Sequence, residues 1–231
     1  MKGRTAKLPI PGPRQPASPA EKPDYYPAFI DLRSRECVVI GGGKVAERKA
    51  LSLLSCGAVL KVISPEFTGL LEREATKGNI RLIRRAYKKG DLKNAFLVIA
   101  ATSDTAINRK VSEDAACLVN VVDMPGMANF IVPATVRRGP LTIAVSSSGA
   151  STAVVKAIRI ELEALYGKDF GRFLSFLSVL RKKVIRDITD KKTREGFLKK
   201  VASGKMFDVL RKKGFKEARE LVMKELQNAK H

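Results

Sequence analysis

Histidine is almost missing from this chain: one occurs among 231 residues, and it is the last, His231. His-cluster zinc sites, Ser-His-Asp triads and histidine general bases are thereby excluded, leaving carboxylates, lysines, tyrosines or water for any proton transfer. Tryptophan is absent and aromatic residues make up 6%, which offers no platform for stacking nucleic-acid bases. Cysteine is scarce. Cys37, Cys56 and Cys117 form an odd set with no CxxC pair, a usage that predicts a reducing, cytoplasmic setting and small buried apolar side chains rather than nucleophiles. No apolar run approaches the roughly 18 residues of a membrane span, so no membrane partner is expected. Lys2, Arg4 and Lys7 are not followed by an apolar stretch, and a secretory signal is not expected either.

Acids are also in short supply, with 23 Asp and Glu against 44 Lys and Arg and a formal charge of +21. The excess is greatest in residues 167–231, which hold 19 basic against eight acidic residues. Such a surface attracts polyanions of any kind, whether nucleic acid, anionic lipid or a polycarboxylate. Residues 1–24, basic and broken by prolines 9, 11, 13, 16, 19 and 23, read as a disordered extended tail.

What is present is a strand–helix alternation. "ECVVIG", "AVLKVIS", "IRLIRRAY", "AFLVIAAT" and "LVNVVD" are short apolar runs. Helical patterns separate most of them, over about 45–55, 66–77 and 104–116. Apolar strands without a polar face, divided by helices, predict a doubly wound parallel α/β sheet covered on both sides. "PLTIAVSSSGAS" adds a strand and a serine-rich turn before a helix over about 151–165. Beyond Gly167 the chain becomes Lys-rich and helical, with Phe173, Phe176, Leu177, Leu180 and Val184 on one face. Helices around 194–202, 205–212 and 215–228 follow. The expected organisation is a tail over 1–24, a Rossmann-type domain over 25–133, a segment over 134–167 and a small all-helical domain over 168–231.

The sharpest motif is "CVVIGGGKVAERKA". Gly41, Gly43 and Ala46 make G-x-G-x-x-A between a strand and a helix. In the dinucleotide fold the first glycine permits the tight turn and the second admits a pyrophosphate against the backbone. The third small residue lets helix and strand pack closely. The acid that normally ends the second strand is displaced: that strand ends Val62-Ile63-Ser64-Pro65, with Glu66 after it. Ser64, the backbone near Pro65, or Glu66 are the candidates for the ribose hydroxyls. No arginine stands there to favour a 2′-phosphate, which points to NAD over NADP.

The stretches "YYPAFIDLRSRECVVIGGGKVAERKALSLLSCGA", "FLVIAATSDTAINRKV" and "VNVVDMPGMANFIVPATVRRGPLTIAVSSSGAS" resemble, in that order, the precorrin-2 dehydrogenases and the N-terminal module of siroheme synthases. The resemblance is dense over residues 25–165 and loose over the helical remainder. It implies a Rossmann domain that binds NAD, a central dimerisation segment over 134–167 making a homodimer, and a helical domain that helps enclose a tetrapyrrole. The implied reaction oxidises precorrin-2 to sirohydrochlorin; some members also insert ferrous iron to give siroheme.

The resemblance places the catalytic aspartate at Asp123 in Asn120-Val121-Val122-Asp123. A residue just past a strand's carboxyl end does lie at the ligand crevice of such a sheet, and without histidine a carboxylate is the natural base. The alternative is that Asp123 caps the turn before Pro125. Lys44 and Val45, together with Pro65 and Glu66, match NAD-contacting positions, and Thr102 would face the nicotinamide. Substrate contacts are implied at Asn120 and at Ser146, Ser147, Ser148 and Ser151. The competing reading of the serines is a polar turn with Ser151 as helix N-cap. Asn129 is a polar neighbour. No resident metal site is expected. The chain has Ser148-Gly149-Ala150-Ser151-Thr152 where the family reads Gly-Gly-Ala-Ser-Pro. It also lacks the acid or cysteine often found near Ala128, a departure that bears on metal handling rather than on dehydrogenation. A polycarboxylate macrocycle would suit the basic surface. The rival function is a non-catalytic NAD-sensing protein whose basic helices bind nucleic acid, although no specific nucleic-acid motif is present.

Overall fold

The computed structural model describes residues 25–229; the expected tail and His231 lie outside them. The chain divides into two compact units, the first ending at Val132 and the second beginning at Pro133.

The first unit is built on five strands: β1 (Glu36–Ile40), β2 (Val59–Ser64), β3 (Ile80–Arg84), β4 (Leu97–Ala100) and β5 (Leu118–Val121). All neighbours pair in parallel, in the order β3-β2-β1-β4-β5. Three crossover helices join them: α1 (Lys44–Leu54), α2 (Gly69–Thr76) and α3 (Thr105–Asp114). The unbroken apolar strands follow from burial on both faces. Cys37 and Val39 point into one core with Ala46, Ala50, Leu53 and Leu71. Val38 and Ile40 point into the other with Val111, Ala115 and Val119. Each such valine or isoleucine stabilises the fold by about 1.5–3 kcal/mol. Edge strand β3 keeps Arg81 and Arg84 exposed, and it stops at Arg84 rather than running on to Tyr87. Arg85 there turns to meet Asp91 at 2.7 Å and 2.8 Å, which commits the chain to a loop. Helix α2 starts later than its apolar pattern suggested, because the Thr68 N–H donates to Gly42 O at 3.1 Å and holds 65–68 as a turn.

Strand order reverses between β1 and β4. This switch point opens a crevice at the strands' carboxyl ends, where doubly wound sheets take their ligands.

The second unit opens on a strand that the sequence pattern did not reveal, β6 (Ala134–Arg138), paired antiparallel with β7 (Leu141–Val145). Helices α4 (Thr152–Leu165), α5 (Lys168–Asp187), α6 (Lys191–Val201) and α7 (Gly204–Asn228) follow. The last three enclose Phe170, Phe173, Leu180, Val184, Phe197, Val201, Leu210 and Val222. The helices expected at 205–212 and 215–228 are the two halves of α7, bent where Gly214 adopts φ 82°. The second half's first free N–H, at Phe215, donates to Asp169 Oδ2 of α5 at 3.1 Å. This is an N-cap supplied across the fold instead of from the adjoining residue. Among the described residues no helix is long and apolar enough to cross a membrane.

Candidate active site

The crevice is floored by the glycine turn. Gly41 has φ 121°, and a Cβ there would stand 2.4 Å from Ala101 O at the end of β4, so any other residue is barred twice over. A Cβ on Gly42 would stand 1.9 Å from Glu66 O and 2.9 Å from Ser64 Oγ. The turn therefore draws in the segment after β2 and the segment after β4 together. Gly43 differs. Its φ of −79° and ψ of −174° suit any residue, and a Cβ would meet nothing within 4 Å. Among the described residues nothing requires glycine at 43, and the space beside it is open to a ligand. Gly43 is also the N-cap of α1 and supplies no side-chain bond to the helix's first N–H groups. Those groups, at the positive end of an 11-residue helix, suit a pyrophosphate.

Of the other cofactor candidates, Lys44 and Val45 are exposed on the first turn of α1. Lys44 Nζ leans 3.3 Å from Glu47 Oε1. The Glu47 carboxyl is held below its usual range, first by the Thr68 hydroxyl beside it and then by Lys44; Thr68 Oγ1 reaches it without the geometry of a regular hydrogen bond. Ser64 ends β2 directly beside the glycine turn, and Pro65 and Glu66 are exposed after it. In register with Ser64 on the next strand stands Arg84, a cation the sequence pattern did not bring to this corner. It is engaged: its guanidinium pairs with Glu72 and lies 5.2 Å from the centre of the Phe67 ring.

Thr102 sits past β4, but its side chain is used within the fold. Its Oγ1 lies 2.8 Å from Asn108 Oδ1 and 2.9 Å from Asp104 O. The buried Asn108 amide in turn donates to Thr102 O at 3.0 Å. Asn108 is a residue that sequence reasoning missed; its only signal was a polar side chain on the apolar face of α3. Asp104 caps that helix through Ala106 N–H and Ile107 N–H.

Asp123 follows β5, whose end is tied to β4 by Val122 N–H donating to Ala100 O at 2.9 Å. Its backbone is left-handed, φ 61°, a conformation that costs a non-glycine residue of order 1 kcal/mol. Its side chain is exposed and has no hydrogen bond or ion pair among the described residues. It does not cap the following 3-10 turn (Pro125–Met127), whose N-cap is Met124 with no side-chain bond. The capping alternative is not what the structure contains. Asn120 donates from Nδ2 to Phe130 O at 3.1 Å. Asn129 bonds to the backbone of Cys117 and Val119.

The serines lie in the second unit and bond chiefly to one another. Ser147 Oγ accepts from Ser151 N–H at 3.0 Å, Ser146 Oγ accepts from Ser148 N–H at 3.0 Å, and Ser151 caps α4 through Val154 N–H. Ser148 takes φ 51°. Among the described residues no group of three or more His, Cys, Asp or Glu side chains is arranged to hold a metal.

A parallel sheet with a glycine turn after β1 at its switch point, an uncapped helix behind it and a free carboxylate two strands away, after β5, defines a dinucleotide-binding protein of the Rossmann class. Residues 28–134 match the family model NAD_binding_7, described as "Putative NAD(P)-binding". Relatives include the siroheme synthase of Nitrosococcus oceani, 38% identical over 183 residues, 78% of this chain and 39% of that protein. The siroheme synthase of Pseudomonas putida strain F1 is 40% identical over 184 residues, 78% of this chain and 40% of that one. A solved structure, SirC, precorrin-2 dehydrogenase, superposes with a TM-score of 0.75 at 27% identity, over 88% of this chain and 100% of that one. The chain is thus similar to siroheme synthases and to a precorrin-2 dehydrogenase. It spans about two fifths of the length of the curated relatives it matches.

Proposed function

We propose that the protein oxidises precorrin-2 to sirohydrochlorin with NAD, a step of siroheme synthesis, and that Asp123 is the base. One observation carries the assignment: an exposed carboxylate without an internal partner, held in a left-handed turn at the carboxyl end of β5 beside the dinucleotide crevice. Bound NAD would supply the hydride acceptor. The chain's part is then to hold the macrocycle and to take a proton. Precorrin-2 loses one hydride and one proton, and the products are sirohydrochlorin, NADH and a proton handed from Asp123 to water. The exposed Ser146 and Ser148 are proposed donors to substrate carboxylates, and the Lys-rich helices steer the polyanion by charge.

A homodimer belongs to this proposal. None of the 14 residues of α4 is buried, yet Val154, Ile158, Ile160 and Leu165 are 53%, 38%, 50% and 42% exposed. An apolar helix left that open fits an interface with a second copy. Iron insertion would draw on the same carboxylate, which could receive the pyrrole N–H protons as ferrous iron enters.

The test is NADH formation from precorrin-2 and NAD, read by near-ultraviolet absorbance, in wild type and Asp123→Ala. Turnover that the substitution reduces by about a hundredfold or more supports both reaction and base. Equal rates would remove Asp123 from the mechanism. Absence of turnover in a folded, NAD-binding protein would instead favour the sensor reading. A parallel assay with sirohydrochlorin and ferrous iron decides the chelatase activity.

A further inference from the structure

The carboxylate assigned as base makes no bond of its own, so its position is set entirely by the loop that bears it. That loop, residues 122–130, is fastened at few places. β5 is an edge strand, and its outward backbone groups need partners. Asn129 provides them. Its Oδ1 accepts from Val119 N–H at 2.7 Å, its Nδ2 donates to Cys117 O at 2.8 Å, and its own N–H donates to Val119 O at 3.0 Å. One residue thus does the work of a short sixth strand, using its side-chain amide in place of a peptide group. Two further bonds flank it: Ser112 Oγ of α3 donates to Met127 O at 2.6 Å, and Asn120 Nδ2 donates to Phe130 O. Between these anchors and the end of β5, Asp123 stands in its left-handed turn.

We propose that Asn129 is a positioning residue that acts through Asp123: by pinning the loop to the free edge of β5, it fixes where the carboxylate meets the substrate. The inference rests on the reading of Asp123 as the base. Removing the amide releases two of the three bonds to the edge and lets the turn drift. A displacement of about an ångström at the reacting group costs about a hundredfold in rate. The glycine turn, on β1, is untouched, so NAD should bind as before.

The experiment uses the full chain with Asn129→Ala, Asp123→Ala and the double variant. It measures kcat with precorrin-2, the dissociation constant for NAD, and hydrogen exchange at the Val119 amide. We expect Asn129→Ala to lower kcat by about a hundredfold, leave NAD affinity within about twofold, and speed exchange at Val119. The double variant should be no slower than Asp123→Ala alone, because two residues acting through one carboxylate do not add. Losses that multiply, an NAD constant that rises in step with the loss of kcat, unchanged kcat, or unchanged Val119 exchange would each overturn the inference. Should Asn129→Ala not fold, Asn129→Asp, which keeps the acceptor for Val119 N–H and loses the donor to Cys117 O, is held to the same expectations at smaller size. Full activity of Asp123→Ala would overturn the base assignment itself. Loss there with full activity in Asn129→Ala would overturn the positioning role alone.

Discussion

Substituting Gly43 with alanine separates cofactor binding from stability, and the structure sets the size of both effects. At 43 the backbone is ordinary and the new methyl meets no atom within 4 Å. Alanine caps a helix slightly less well than glycine but loses less chain entropy on folding. The two effects nearly cancel, leaving a net change within about 1 kcal/mol, or about 2–4 °C in Tm for a chain of this size. If a pyrophosphate approaches the first N–H groups of α1, as the glycine turn suggests, the methyl stands in its way. Losing two hydrogen bonds to a charged group costs at least about 3 kcal/mol, more than a hundredfold in Kd. Calorimetric titration with NAD alongside a thermal melt tests this directly. Gly42→Ala is the contrast: its methyl would fall 1.9 Å from Glu66 O, and the protein should fail to fold. An NAD Kd for Gly43→Ala within about threefold of wild type would refute the pyrophosphate assignment. A Tm lowered by much more than 4 °C would refute the claim of open space.

Replacing Asp123 with glycine removes a left-handed non-glycine residue, and should raise stability by up to about 1 kcal/mol while abolishing turnover; a denaturant titration showing a loss of stability would contradict the strain. Asp91 is held below its ordinary range by the Arg85 guanidinium and also by the Lys88 N–H. Its folded pKa is depressed, so its contribution is complete above the unfolded value near 3.8 and disappears as pH falls through the lower folded value. Asp91→Asn should therefore be less stable than wild type at neutral pH, with the gap closing below about pH 4 in acid-titrated melts. Ile158→Glu on the open face of α4 should turn a dimer into a monomer in light scattering at micromolar concentration, with little change in helix content; an unchanged mass would place the interface elsewhere.

The parts of this molecule legible in sequence were those whose causes are local. β1 and β4 announce themselves because a strand buried on both faces has to be apolar throughout, and the glycine turn because its three small residues act within six positions. Asp123 was placed by the family resemblance: its position past a strand end is where a ligand crevice lies, but the residues alone left it equally open to capping the turn before Pro125. β6 was hidden: Ala134–Arg138 ends in two arginines, and although its partner β7 was legible as a strand, the pairing becomes apparent only once the turn at Gly139 and Pro140 brings the two together. Its short pattern alternates too weakly to register alone. The bend of α7 at Gly214 was visible, but its cap, Asp169, lies 46 residues earlier in sequence and carries no local signature. The supports of the site are of this second kind. Asn108 holds Thr102 and Asn129 holds the loop of Asp123 through bonds from side-chain amides to backbone, and such bonds exist only after the sheet has formed. An asparagine in a loop looks like a turn residue until the strand it completes is in place. The catalytic candidate thus comes from the likeness of its motif to a family's, whereas what holds its loop still is a product of the fold.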